Sequence, residues 1–203
     1  MSRRSAAPAP ICLWWIGADA PPEGALDDVR THVERVYGLA ARLWHGPARP
    51  LHAFDPVRGQ LSSTRTLEWL LDVGPKDARK LVGVTDMDLF IPVLTFVFGE
   101  AQLGGRVSVV STARLMPTGG PQLNGRLLVA RLAKEVVHEL GHSFGLVHCD
   151  DASCVMSRSA SLTEVDTKNG GFCHDCWTRY LELREATEGT HEERTHPPSR
   201  RRR

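Results

Sequence analysis

His138-Glu139-Leu140-Gly141-His142-Ser143-Phe144-Gly145-Leu146-Val147-His148 is the stretch of sequence that decides the fold and the chemistry. Its first two histidines are four residues apart, so on a helix their rings lie on one face, about 6 Å from each other. Both imidazoles can then reach one zinc ion through bonds of about 2.0–2.1 Å. A continuing helix would turn His148 away from them. Gly145 therefore predicts a bend, because glycine adopts a left-handed backbone without a Cβ penalty.

Three neutral imidazoles and one carboxylate make up the predicted active site. The ligands His138, His142 and His148 leave the fourth position of a zinc tetrahedron open for water. Zinc activates that water, and Glu139 is placed to take its proton as a general base and pass it to the leaving amine. The pattern predicts a zinc-dependent metallopeptidase. The alternative is a catalytically silent, zinc-stabilised peptide-binding module, but such a module has no need for the carboxylate of Glu139. Zinc hydrolysis of a non-peptide amide stays open as a third interpretation.

Four of the five cysteines cluster after the histidines and predict a second metal site. A thiolate tetrahedron with no open position is typical of structural zinc, and here it would join the loop after the active-site helix to the C-terminal helix. Because this region has few apolar residues, metal binding would supply folding energy. Disulfides, free thiols or an iron–sulfur cluster are the alternatives. The sequence thus predicts two zinc ions per chain, the structural one held by Cys149, Cys154, Cys173 and Cys176.

Hydrophobic periodicity predicts one α/β domain of residues 11–185 with a mixed sheet. Strands are predicted at 11–16 (with Cys12 buried), near 49–54, and at 81–85, 92–98 and 106–111. Helices are predicted at 25–44, from an N-cap at Ser63 to Leu71, and at about 122–144 and 174–186. The third of these carries the first two histidines, with Leu132, Val136 and Leu140 as its buried ridge. Residues 1–10 and 186–203 are predicted to be disordered.

Composition excludes several classes of partner. Hydrophobic residues make up 41% of the chain, charged residues make up 24%, and the formal net charge is +1, so no overall basic field argues for nucleic acid. No apolar run has the length of a membrane span, and residues 11–20 make a poor signal peptide. We therefore expect a cytoplasmic protein, where clustered cysteines point to metal rather than to disulfides, and we expect a monomer. The terminal arginines, 200–203, are expected to be a solvated tail.

Further matches extend the pattern beyond the histidines. The spacing from His138 through Gly145 to His148 is the metzincin signature, and Met156 follows at the place of the Met-turn, an apolar floor beneath the metal. With Cys154-Val155-Met156 and Cys173-His174-Asp175-Cys176, the chain resembles the archaemetzincins. Stretches at 84–90, 96–101 and 105–111 also resemble that family, so the resemblance covers about residues 11–180. The spacing between Met156 and Cys173 is one residue shorter than in the family.

The resemblance implies a compact metzincin-like α/β domain with a twisted sheet, a long active-site helix and a zinc-stapled C-terminal region. It also implies that an edge strand, near residues 93–111, pairs with a peptide or protein substrate in extended conformation. The two tyrosines of the chain, Tyr37 and Tyr180, are not placed just after Met156 to stabilise a transition state. Cationic candidates for that role are Arg106, Arg114 and Lys134.

Overall fold

A five-stranded sheet with helices on both faces organises the chain. The computed structural model describes residues 9–46, 49–116 and 121–195. In these ranges the elements, in chain order, are β1 (Ile11–Trp15), α1 (Ala25–Tyr37), β2 (Ala41–Trp44), a 3-10 turn (Leu51–Ala53), β3 (Phe54–Asp55), β4 (Gln60–Ser62), α2 (Ser63–Val73), β5 (Lys80–Thr85), β6 (Leu89–Phe90), β7 (Gly99–Ala101), β8 (Val107–Ser111), α3 (Pro121–Ser143), α4 (Leu162–Thr167) and α5 (His174–Thr195).

The strand order of the main sheet is β2-β1-β5-β8-β7. Strands β2, β1, β5 and β8 run parallel, whereas β7 pairs antiparallel with β8 at one edge. A second, three-stranded sheet has the order β3-β4-β6. The predicted mixed α/β domain is confirmed, and its antiparallel edge strand lies within the region 93–111.

Alternating residues of each strand feed two apolar clusters on opposite faces of the sheet. In β1, Ile11 and Leu13 join the cluster that contains α1 and α3, whereas Cys12 and Trp14 join the cluster that contains α2. The predicted ridge of α3 is buried in the first cluster, at exposures of 1%, 0% and 0% for Leu132, Val136 and Leu140. This packing fixes α3 on the sheet and leaves another of its faces free to line a cleft.

The predicted helix at 25–44 is too long. Helix α1 ends at Tyr37, because Gly38 adopts φ 62° and donates its N–H to the Glu34 carbonyl. Residues Ala41–Trp44 then form the edge strand β2, and the Ala41 N–H donates to the Glu34 carboxylate at 2.9 Å. Apolar residues at 39 and 43 continue the helical spacing, but a left-handed glycine ends a helix regardless of that spacing.

Residues 92–98, predicted as a strand, form a turn and a cleft wall instead. The Leu94 N–H donates to the Ile91 carbonyl at 3.1 Å, and Val97 makes a single bridge with Leu89. Val93 and Leu94 are 83% and 51% exposed. Since β-branched residues favour strands only where they pack on a half-buried surface, the exposed start of this run lacks the packing that would make it a strand.

Several other boundaries differ from the prediction. Residues 49–54 contain the 3-10 turn and the start of β3 in place of a short strand. The N-cap of α2 is Ser62 rather than Ser63, and its side chain accepts the Arg65 N–H. Strands β4, β6 and β7 were not predicted, because two or three residues carry too little periodicity.

The C-terminal helix is longer than predicted. Helix α3 matches the predicted span to within one residue at each end, but α5 continues to Thr195 rather than to about 186. It therefore passes the predicted domain end at 185. Residues 1–8 and 196–203, with the terminal arginines, lie outside the described residues. None of the helices in the described ranges combines the length and the apolar character that a bilayer crossing requires.

Candidate active site and structural metal site

Two histidines near the end of α3 face a common point. Their Nε2 atoms, in His138 and His142, are 3.1 Å apart. Each Nδ1 lies 2.8 Å from a backbone carbonyl, that of Val155 for His138 and that of Leu146 for His142. A carbonyl partner requires Nδ1 to carry the proton, which leaves the Nε2 lone pair free for a metal. Two lone pairs that face each other in this way can share one cation.

The chain bends at Gly145, where the sequence predicts a bend. Gly145 has φ 100°, its N–H donates to the His142 carbonyl, and the Leu146 N–H donates to the Gly141 carbonyl. These bonds end α3 and turn the chain back over the helix. The His148 ring centroid consequently lies 4.7 Å from that of His142 and 5.4 Å from that of His138.

The three imidazoles form one donor set. Donor atoms of His138, His142 and His148 lie within 4.8 Å of one another. Burial lowers the pKa of each ring: that of His138 well below its ordinary value, with Lys168 adding to the effect, and that of His148 to about 4. At neutral pH the rings are uncharged, which is the form that binds a metal ion. This set fits zinc with one position left open.

Met156 packs against α3 at Gly141, the residue before His142. Its side chain is fully buried, and a Cβ added to Gly141 would collide with its sulfur. The Cys149 N–H donates to the Met156 carbonyl at 3.0 Å, which ties the segment after the bend to the segment that carries the methionine. Met156 therefore contacts the helix that carries His138 and His142, and its role as an apolar floor beneath the metal stays a prediction.

Glu139 faces the same cleft from one position along the helix. It is 5% exposed, and a Cβ added to Gly99 on the edge strand would lie 2.8 Å from its Oε1. Burial raises the pKa of Glu139 well above its ordinary value, Glu135 adds to the rise, and Lys168 opposes it. A raised pKa makes the carboxylate a stronger proton acceptor. The cleft has a volume of about 540 Å³ and is lined by β7, residues 94–98, the three histidines and residues 158–160.

The four clustered cysteines form a second donor set. Their sulfurs lie within 4.8 Å of one another, and those of Cys149 and Cys173 are 3.8 Å apart. Zinc–sulfur bonds of about 2.3 Å place neighbouring sulfurs of a tetrahedron about 3.8 Å apart. Backbone N–H groups of Met156 and Cys173 donate to the Cys154 sulfur. Burial raises the pKa of Cys154, and these two bonds oppose that rise because they favour the thiolate form. Four sulfurs at this spacing fit a closed zinc site.

The cationic and tyrosine candidates named from the sequence lie elsewhere. Arg106 donates to the Pro75 carbonyl, Arg114 pairs with Asp88 at 2.7 Å, and Lys134 donates to the carbonyls of residues 165 and 166. Both tyrosines are fully buried, with hydroxyls that donate to backbone carbonyls in the core. None of these side chains is among the described residues that line the cleft.

Three residues at the site were missed by sequence analysis. Arg158 lines the cleft and donates its Nε–H to His148 Nδ1 at 3.2 Å. Its position two residues after Met156 could have indicated that it lies near the predicted metal site. Glu135 also lines the cleft, and its spacing of three and four from His138 and Glu139 could have placed it on their helix face. Lys168 lies far along the chain from α3 and gave no local signal.

Comparison with known proteins gives a match to one family profile. The profile of peptidase family M54 matches residues 75–182. The archaemetzincin of Methanopyrus kandleri is 46% identical over 152 residues, which cover 74% of this chain and 83% of that protein. This chain belongs to peptidase family M54, the archaemetzincins. The predicted family and the predicted enzyme class, a zinc metallopeptidase, are therefore confirmed, and its substrates are peptides or proteins.

Solved structures of the family have the same fold. The crystal structure of the Methanopyrus kandleri archaemetzincin matches with a TM-score of 0.80 at 34% identity and covers 91% of this chain and 99% of that one. A zinc-dependent peptidase from Methanocorpusculum labreanum matches with a TM-score of 0.71 at 29% identity, covering 84% and 99%. The fold of this chain thus extends over nearly the whole length of both proteins.

Proposed function

We propose that Glu139 activates water for peptide-bond hydrolysis at a zinc ion held by His138, His142 and His148. The observation that supports this is the convergence of three uncharged imidazole donors, within 4.8 Å of one another, beside a buried carboxylate that faces the same cleft. Three protein ligands with a fourth position open are typical of catalytic zinc, whereas structural sites are closed.

The chain's own residues would then carry the proton through the reaction. Zinc at this site supplies Lewis acidity, which polarises the scissile carbonyl and lowers the pKa of the attacking water. Glu139 accepts the proton of that water as its oxygen adds to the carbonyl carbon. The same carboxyl group then donates the proton to the amine nitrogen as the C–N bond breaks. The carbonyls of Val155 and Leu146 keep two of the rings oriented.

We also propose that the substrate binds as an extended strand along β7. This strand lies at the edge of the sheet order, and Gly99, Glu100 and Ala101 all line the cleft. An extended peptide can add to such an edge through main-chain hydrogen bonds. Because Gly99 lies against Glu139, a peptide paired with β7 passes beside the general base.

Replacing Gly99 with alanine is expected to damage this arrangement. The new Cβ would lie 2.6 Å from Glu139 Cγ and 2.7 Å from the Val109 carbonyl oxygen, so either the carboxylate or the edge strand must move. We expect kcat/KM for peptide hydrolysis to fall roughly 10–100-fold and the free energy of unfolding to fall by about 1–3 kcal/mol. Gly125→Ala on α3 is the control, since a Cβ there meets nothing within 4 Å. Unchanged kcat/KM in Gly99→Ala would contradict the close contact between Gly99 and the Glu139 side chain.

A structural zinc at Cys149, Cys154, Cys173 and Cys176 completes the proposal of two zinc ions per chain. The 3.8 Å separation of two of its sulfurs supports a tetrahedral thiolate site. Both donor sets are built from one chain, which supports a monomer as the working form. Clustered thiolate ligands suit a reducing compartment, which supports the cytoplasm as the location.

The direct test is cleavage of unstructured peptides by the zinc-loaded protein. A peptide mixture is incubated with the enzyme, and new peptide ends are identified by mass spectrometry. We expect cleavage that stops when zinc is removed by a chelator and returns when zinc is added back. A silent binding module would retain peptides without producing new ends, and cleavage restricted to non-peptide amides would support the third interpretation.

A further inference from the structure

A buried ion pair lies beside the histidine cluster. Lys168 Nζ is 3.4 Å from Glu135 Oε1, and the two side chains are 0% and 3% exposed. The same ammonium is 3.5 Å from Nδ1 of His138, whose ring also faces His142. Lys168 follows α4 and Glu135 belongs to α3, so the pair joins two segments that are distant along the chain.

Stability alone does not account for this pair. Moving two charges out of water costs about as much as their attraction returns, and apolar residues of the same volume often serve as well. Neighbouring groups make the location specific, because a cation bound at the histidines would experience both charges at short range. An ammonium beside His138 repels such a cation, and the Glu135 carboxylate attracts it.

We propose that Lys168 and Glu135 are positioning residues that set the zinc affinity of the histidine site by opposing charges. The proposal rests on the zinc site of the proposed function. Removing the lysine charge leaves an unbalanced carboxylate near the ligands and tightens zinc binding. Removing the carboxylate charge leaves an unbalanced ammonium and weakens it. If the pair only held the two segments together, removing either charge would change the zinc affinity in the same direction.

The test measures zinc dissociation constants in Lys168→Met, Glu135→Gln and the double variant. Zinc per chain is followed while a chelator of known affinity is titrated at constant pH, and a His142→Ala protein identifies the step that belongs to the histidine site. We expect about tenfold tighter binding in Lys168→Met and about tenfold weaker binding in Glu135→Gln, in the range of outer-shell substitutions. The double variant is expected near the wild-type value.

Matched controls separate charge from fold. Lys134→Met removes a neighbouring cation that donates to the carbonyls of residues 165 and 166, and it is expected to shift the constant less than twofold. Lys168→Arg keeps the charge and is expected to behave like wild type. Shifts of the same sign in the two single variants would overturn the proposal.

If Lys168→Met does not fold, Glu135→Gln is sufficient as a test. A zinc dissociation constant in Glu135→Gln that is unchanged or lower than that of the wild type would also overturn the proposal. A wild-type protein that takes up no zinc at the histidines would instead overturn the proposed function. The two failures are therefore distinguishable.

Discussion

Glu139→Gln is expected to lower kcat/KM for peptide hydrolysis by about 10³-fold while the protein keeps its fold and its zinc. Glutamine has the shape of glutamate but cannot accept the proton of the attacking water. The three histidines proposed to hold the metal are unchanged, so the loss should appear in catalysis rather than in metal content. Kinetics on peptides that the wild type cleaves give kcat/KM, and metal analysis of the same samples gives the zinc content per chain.

Stability provides an independent check on this variant. Burial raises the pKa of Glu139, so this carboxyl group holds a proton more tightly in the folded metal-free protein than in the unfolded chain. A carboxyl group whose pKa is raised by folding lowers stability at every pH above its unfolded pKa, because ionisation favours the unfolded chain. Glutamine removes that penalty, and the unfolding midpoint of metal-free Glu139→Gln at neutral pH should equal or exceed that of the metal-free wild type.

Glu164→Gln is the matched control for catalysis. Its carboxylate lies at the cleft but accepts the Ala160 N–H and the Ser161 hydroxyl at the start of α4, which a glutamine amide oxygen can also do. We expect kcat/KM within about threefold of wild type, since no proton transfer is lost. Equal activity of Glu139→Gln and Glu164→Gln would remove Glu139 from the role of general base.

Local spacing made the donor sets predictable from the sequence. Residues four apart on a helix share a face whatever the rest of the fold does, so His138 and His142 could be paired at once. Gly145 marked the bend that brings His148 back, because few other residues adopt its φ of 100°. The cysteines could be grouped for the same reason, since their short spacings leave little freedom for alternatives.

Tertiary packing decided what the sequence left uncertain. Residues 92–98 have the composition of a strand, but the main sheet uses Gly99–Ala101 as its edge and leaves Val93 exposed. Lys168 meets Glu135 across 33 residues, and no periodicity predicts such a contact. The sequence therefore predicts which donor atoms come together better than it predicts the groups that surround them.

Cys173→Ser/Cys176→Ser is expected to bind one zinc ion per chain rather than two and to lose on the order of 5 kcal/mol of stability. These two cysteines bring the start of α5 to the segment that carries Cys149 and Cys154. Without the metal, α5 is still held by aromatic contacts, because Tyr180 packs against Tyr37 with ring centroids 5.2 Å apart. We therefore expect a folded protein whose thermal midpoint falls by about 10–20 °C.

Peptidase activity should fall in the same variant, although it leaves every histidine in place. Cys149 directly follows His148, and Met156 follows Cys154 by two residues, so release of the sulfurs loosens both the third ligand and the floor beneath the metal. Cys12→Ala is the control: it removes a buried thiol outside the cluster and should keep two zinc ions. Two zinc ions per chain in the double variant would contradict the thiolate zinc site. Iron and sulfide in the wild-type protein would show that the four cysteines bind an iron–sulfur cluster instead. Loss of one zinc ion with full activity would show that the two centres are independent. That result would contradict the expected coupling through the loop that they share.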